Sequence, residues 1–415
     1  MISSDKSNIP PDPATLNHRY VVGLCGLLMA LSAFSVDILL PFFGQIAQGL
    51  SVPIGQLPTV VTVFIFCMGT GQLVSGIVSD RYGRKPVMGA GIVLFLVGSA
   101  IACFAQSLAV LLLARALQGF GVSAATTLSR AMLRDLYTGP ELARRFAVAT
   151  AMFSVGPIVA PLLGALLLAA GGHWRLVFVV MALYGLALLV GMRRLPETLP
   201  QFTPISRSTL WRSLGRVFRH TQSRNFLVIN AVSSTAMILI IACMAPLYAQ
   251  NFEISGSEFA VYYAFHGTGI IIGQLANHRL IGTLGLLPTT ILAVLVMLLA
   301  AMLIVTVALL EAATPVIMSL LVTMFALGYL SLTSNALSMT LMPHGEIAGL
   351  TAALQGASGL ALAALFSGLI APLVQEDFVA WGAVIATCNI LALALLLRWQ
   401  RHQLRREILS ANIPS

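Results

Sequence analysis

Two ionisable residues stand well inside long apolar runs, Asp37 in SVDILLP and Arg115 in RALQGFG. A charge in hydrocarbon is expensive, so residues of this kind face a cavity or pair with each other. Asp37 lies near the end of the first apolar run, and Arg115 lies about eight residues into the fourth, which runs the opposite way. Both fall at a similar depth, and the spacing predicts that they meet across a central cavity. Beside Arg115 the carboxylate stays ionised, and without that partner it takes up a proton. An acid alternating between those settings can couple proton movement to the exchange of a second solute.

A second concentration of charge is GIVSDRYGRKP, residues Gly76–Pro86, where Asp80, Arg81, Tyr82, Arg84 and Lys85 crowd together in a chain with only 9% charged residues. Asp80 falls at the C-terminal end of the second apolar run. An acid there is disfavoured by roughly 0.3–1 kcal/mol unless something compensates. The eleventh run starts near Ile347 on the same side and offers a positive helix N-terminus. Asp80 is expected to meet that end, with Arg84 and Arg81 completing the pairing and closing one mouth of the protein.

The elements that hold these residues follow from composition. Hydrophobic residues make up 58% of the 415-residue chain, whereas a soluble protein carries about 25% charged residues. Apolar runs of about twenty residues recur along the whole length, the length a helix needs to cross a bilayer. The class is an all-α polytopic membrane protein. Hydropathy and turn residues place twelve transmembrane helices near 20–42, 57–79, 86–105, 107–131, 142–170, 174–194, 223–249, 258–280, 284–310, 312–341, 348–372 and 378–398.

Basic residues fall on one side under a single choice of phase. Arg19, Arg81, Arg84, Lys85, Arg130, Arg134, Arg144, Arg145, Arg279 and the clusters at 193–224 and 398–406 collect there, against Arg175 alone on the other. By the excess of bases in cytoplasmic loops, both termini are cytoplasmic. The net charge of +9 then serves topology and anionic lipid, and no nucleic-acid partner is implied.

The expected organisation is a disordered cytoplasmic tail over 1–18, a six-helix bundle over 19–194, a cytoplasmic linker over 195–222, a second six-helix bundle over 223–399 and a basic cytoplasmic tail over 400–415. Within the linker, WRSLGRVFRH puts Trp211, Leu214 and Phe218 on one helical face and Arg212, Arg216 and Arg219 on the other, the pattern of a helix lying in the membrane interface. The tripeptide GQL at Gly71–Leu73 recurs at Gly273–Leu275, at equivalent places of the two halves. Parallel repeats of this kind build some transporters, with substrate bound between the halves. Cys25, Cys67, Cys103, Cys243 and Cys388 all lie in apolar runs without metal or disulfide spacing, and no metal site or cofactor is expected.

These motifs carry a resemblance. The stretch with Gly76, Asp80, Arg81, Gly83, Arg84 and Lys85 resembles the signature between spans two and three of the major facilitator superfamily. In that family it forms a charge-relay gating latch with an acid at the end of span four, a place that Asp135 holds here. The second half, ANHRLIGTLG, has Arg279 but no acid, so the latch is one-sided. RALQGFG, with Arg115, Gln118, Gly119 and Gly121, resembles the span-four motif of drug:proton antiporters. SVDILLP, with Asp37 and Pro41, resembles the span-one motif of the bicyclomycin/chloramphenicol-resistance type, although a second proline usual downstream is missing.

GPIVAPLLG, with Gly156, Pro157, Pro161 and Gly164, resembles the span-five antiporter motif in its two-proline variant. The two prolines kink that helix. The resemblance implies the major facilitator fold with two pseudo-symmetric bundles, H+ as coupling ion, Asp37 and Arg115 as coupling residues, and a monomer in a bacterial inner membrane.

The resulting expectation is a secondary transporter exporting small amphipathic compounds or drugs by alternating access. Export of one endogenous metabolite, such as a siderophore or an amino-acid derivative, is the alternative, and import is less favoured by the span-five motif. Gln118, Asn230, Tyr248, His266, Asn335 and Gln355 are the candidate lining of the substrate cavity, and Gln274 and Asn389 are further polar residues in apolar runs. An enzyme would need a catalytic constellation, and no HExxH or GxSxG motif occurs. An ATP-driven pump would need a phosphate-binding loop, which the sequence also lacks.

Overall fold

A computed structural model describes residues 17–199, 207–344 and 347–411. Most of the tail predicted over 1–18 therefore lies outside the described residues. The first half contains α1 (His18–Asp37), α2 (Phe43–Gly49), α3 (Pro58–Tyr82), α4 (Arg84–Cys103), α5 (Leu108–Leu136), α6 (Gly139–Ala169) and α7 (Arg175–Gly191). A connecting helix, α8 (Arg207–Arg219), leads to α9 (Thr221–Phe252), α10 (Gly256–Leu284), α11 (Leu286–Leu309), α12 (Pro315–Leu341), α13 (Ala348–Val374) and α14 (Phe378–Ala411).

Among the described residues, eleven helical stretches are long and apolar enough to cross a membrane. The twelfth helix of comparable length, α10, packs among them but is less apolar, because His266, Gln274, Asn277, His278 and Arg279 interrupt it. The protein is a polytopic helical membrane protein.

Local chemistry explains where helices stop. Pro41 has no N–H to donate to the Asp37 carbonyl, so α1 ends at Asp37 and a short 3-10 turn, Leu40–Phe42, follows. The first predicted span is thus broken at its acid. Gly83 separates α3 from α4 with φ of +98°, a conformation open to glycine. The last helix does not end at the predicted 398 and continues into the basic segment as far as Ala411. The linker helix also differs from expectation. Leu214 and Val217 turn inward onto Leu227 and Leu354, while Trp211 and Phe218 stay exposed.

Packing repeats between the halves. In the first half α3 lies against α5, α1 against α6, and α4 against α5 and α7; in the second, α10 lies against α12, α9 against α13, and α11 against α12 and α14. The GQL echo is part of this pattern. A methyl group on Gly71 would meet Ser123 of α5, and one on Gly273 would meet the Leu327 carbonyl of α12. Each glycine allows the close approach that the crossing needs.

The halves join through two reciprocal pairs, α3 with α13 and α6 with α10. Gly69 sits in the first seam, where an added methyl would lie 2.5 Å from the Ala361 nitrogen, and Gly267 sits in the second against Pro157 and Ile158.

Candidate functional site

Asp37 occupies the last residue of α1, at the end remote from the basic loops. A helix C-terminus already carries partial negative charge, and the acid is 3% exposed, so it requires a donor. The donor comes from the other half: the Tyr263 hydroxyl of α10 donates to Asp37 Oδ1 at 2.9 Å. Tyr263 is itself fully buried, with its ring centroid 4.6 Å from His266 and 5.7 Å from Phe259. His266 Nδ1 lies 3.2 Å from the Tyr263 carbonyl. A carbonyl only accepts, so Nδ1 carries the hydrogen and Nε2 is left as an acceptor.

The α6 motif encloses this cluster. Gly164 lies against the Ile38 carbonyl and Pro41, and Gly156 lies against Ala33 of α1. Pro157 and Pro161 are inside α6. Neither can donate the backbone bond of a regular helix, so the carbonyls of Phe153 and Pro157 lose their usual donors. Ile158 packs against Gly267, one residue beyond His266. Asp37, the two-proline motif and the Tyr263–His266 pair are therefore one site at the junction of α1, α6 and α10.

The expected pairing of Asp37 with Arg115 is not made. Arg115 is fully buried but turns to α3, donating from Nε to the Val60 carbonyl at 3.2 Å and from Nη1 to Gln118 Oε1 at 3.0 Å. Its guanidinium lies 4.0 Å over the Phe64 ring, and Nη2 has no hydrogen-bond partner. A cation–π contact and a carbonyl satisfy most of its charge inside the first half. The expectation rested on depth alone, and depth carries no information about the direction a side chain takes around its helix.

At the basic end, Arg84 gathers the latch. Its Nη1 donates to Asp80 Oδ1 at 2.6 Å and to Ser79 Oγ at 2.6 Å, and its Nε to Asp135 Oδ2 at 3.3 Å. The expected contact of Asp80 with the start of the eleventh span is not made; among the described residues Asp80 bonds to Arg84 alone. The reason is reach, since the turn at Gly83 brings Arg84, the first residue of α4, back onto the end of α3, where it takes the carboxylate. Arg81 stacks on Tyr82 instead of joining the pairing. Arg134, next to Asp135, lies against Gly349 at the start of α13.

A residue that sequence reasoning missed completes this end. Glu197 accepts from the backbone N–H groups of Arg84 and Lys85, at 2.9 and 3.0 Å, and from those of Thr198 and Leu199. It caps the N-terminus of α4, which has no cap from its own flanking residue. A methyl on Gly83 would strike Glu197. Lys85 Nζ donates to the Leu195 carbonyl, and Thr198 donates to Asp135, so the segment after α7 is sewn into the latch.

The remaining predicted cavity residues are buried and bonded within their own halves. Gln118 donates to Ser99. Asn230 donates to the Gln355 carbonyl, and Gln355 accepts from Thr340. Tyr248 meets Ser319 and the Pro315 carbonyl, and Asn335 exchanges hydrogen bonds with Asn277. Only His266 stands beside Asp37's partner. Tyr263 escaped notice because a tyrosine in an apolar run reads as packing, although Phe259, Tyr263 and His266 share one helical face.

Two bundles with the same internal packing, joined at two reciprocal seams, define a two-fold helical membrane carrier. The match to known proteins makes this specific. The family model for the Major Facilitator Superfamily matches residues 25–366, and the chain belongs to that superfamily. It is 28% identical over 353 residues to an uncharacterized MFS-type transporter of Bacillus subtilis, covering 84% of this chain and 87% of that one. It is 24% identical over 371 residues to a bicyclomycin resistance protein homolog of Haemophilus influenzae, covering 88% and 92%.

Multidrug resistance protein MdtL of Escherichia coli O157:H7 is 26% identical over 373 residues, covering 89% and 93%. In fold, the chain superposes on a crystal structure of peptide transporter POT in complex with sulfate with a TM-score of 0.75, at 15% identity, covering 96% of this chain and 97% of that one.

Proposed function

We propose that this transporter is a proton-coupled antiporter of the bacterial inner membrane that exports small amphipathic compounds, antibiotics among them. The observation that carries the reading is Asp37, the one buried acid among the described residues, held by a side chain of the opposite half. A buried carboxylate is tolerable only while its donor is present. When the halves rock and α10 withdraws, the acid must meet water or take up a proton, which ties protonation to the side that is open.

The proton gradient supplies the energy, with H+ as coupling ion and no cofactor. The two-proline α6 packs on both sides of the acid and gives the rocking half a kinked rail. The drug-resistance names of two relatives support the substrate class, and each chain works as a monomer in the lipid bilayer.

The test is transport in proteoliposomes under an imposed pH gradient, with bicyclomycin, ethidium and a hydroxamate siderophore as probes. Accumulation of bicyclomycin or ethidium, abolished in Asp37→Asn, is expected. Gradient-driven accumulation of the siderophore alone would shift the substrate class to a metabolite. Solute flux without proton flux would remove the antiport mechanism.

A further inference from the structure

The geometry points to Tyr263 as the gate contact that stops the empty, deprotonated carrier from opening at the end remote from the basic loops. This rests on the reading of Asp37 as the proton-carrying acid. Among the described residues two hydrogen bonds cross between the bundles, Tyr263 to Asp37 and Ser257 Oγ to the Ala165 carbonyl at 3.1 Å. Both lie at that end. At the basic end the bundles approach through Arg134 beside Gly349 and Gly76 beside Ala353, and no hydrogen bond between described residues of the two bundles joins them there.

Of the two crossing bonds, one involves a group that changes charge. The ionised carboxylate makes the stronger, charge-assisted hydrogen bond with the phenol. Protonation forms an O–H bond on Asp37 with a proton from water, Tyr263 keeps its own proton, and the contact falls to a neutral one. The groups facing the acid are Tyr263 and, behind it, His266, both from α10; Arg115 of α5 is turned to α3.

An antiporter fails if its empty carrier returns unloaded, because each such cycle leaks one proton. The Tyr263 contact opposes that return when Asp37 is ionised and relaxes when it is protonated. Tyr263 is thus a positioning residue that converts the state of Asp37 into the state of the gate.

The experiment is proton influx into proteoliposomes holding a trapped pH dye, with voltage clamped and no substrate added. Tyr263→Phe is expected to raise the leak about tenfold over wild type, the factor that corresponds to ~1.4 kcal/mol of lost gate stabilisation. The double variant Asp37→Asn/Tyr263→Phe returns to the wild-type level. A Tyr263→Phe leak equal to wild type, or one that survives Asp37→Asn, overturns the inference.

The coupling role of Asp37 is judged separately, by whether Asp37→Asn retains pH-driven ethidium accumulation, so the two ideas fail independently. If Tyr263→Phe does not fold, spin labels at Ala170 and Ser255, both exposed beside this gate, report the same equilibrium with Tyr263 intact. Their separation is expected to widen on acidification, and not in Asp37→Asn. No change with pH in the wild-type background would also overturn it.

Discussion

Glu197→Gln tests whether the segment after α7 builds the latch or merely passes it. The carboxylate receives four backbone N–H groups, three on Oε1 and one, from Lys85, on Oε2. An amide has one accepting oxygen, so in either orientation its NH2 faces an N–H donor. The loss is one charge-assisted hydrogen bond, about 1.5–3 kcal/mol. The negative charge at the N-terminus of α4 adds about 0.3–1 kcal/mol. Glu197 is half-buried, which screens both contributions, and a net destabilisation of about 2 kcal/mol is expected.

The assay is reversible unfolding in mixed micelles, with Glu141→Gln as reference. Glu141 also pairs with arginines, Arg144 and Arg145, but at an exposed site where such pairs contribute little. No measurable change is expected there. If Glu197→Gln unfolds within about 0.5 kcal/mol of wild type, an ordinary surface effect, the capping argument is wrong.

Arg84→Lys is expected to cost about 1–2 kcal/mol in the same assay, because one ammonium cannot span Ser79, Asp80 and Asp135 as the guanidinium fork does; an unchanged midpoint would contradict this. Asp37→Asn and Arg115→Ala are expected to add within about 0.5 kcal/mol in a double-mutant cycle, since they share no partner, and a coupling energy well above that would restore their pairing.

His344, in the loop after α12, bonds to Ser223 and packs on His220; its pKa lies below the ordinary 6.5 because burial, then His220 and Arg216, disfavours the charged ring. The unfolded chain therefore binds the proton first, so stability is full above pH 6.5 and falls as pH drops from there toward the lowered folded value. His344→Gln is expected to flatten that fall in unfolding measured from pH 7.5 to 5, and an identical slope would refute it.

What the sequence determined by itself follows from patterns that repeat along one dimension. Apolar length set the class and nearly every span, because a helix must be about twenty residues long to cross hydrocarbon whatever it packs against. The clustering of Asp80, Arg84 and Asp135 was legible because the partners are close in sequence or placed by a motif. The break in α1 after Asp37 was implicit in Pro41.

Tertiary structure alone decided who faces whom. Asp37 turns to Tyr263 and Arg115 to Val60 and Phe64, because the rotation of each helix is set by glycine contacts such as Gly164 on Ile38 and Gly119 on Phe64. Glu197 stands more than a hundred residues from the N–H groups it caps, and no local spacing can announce a bond that closes only when α4 and α7 pack side by side.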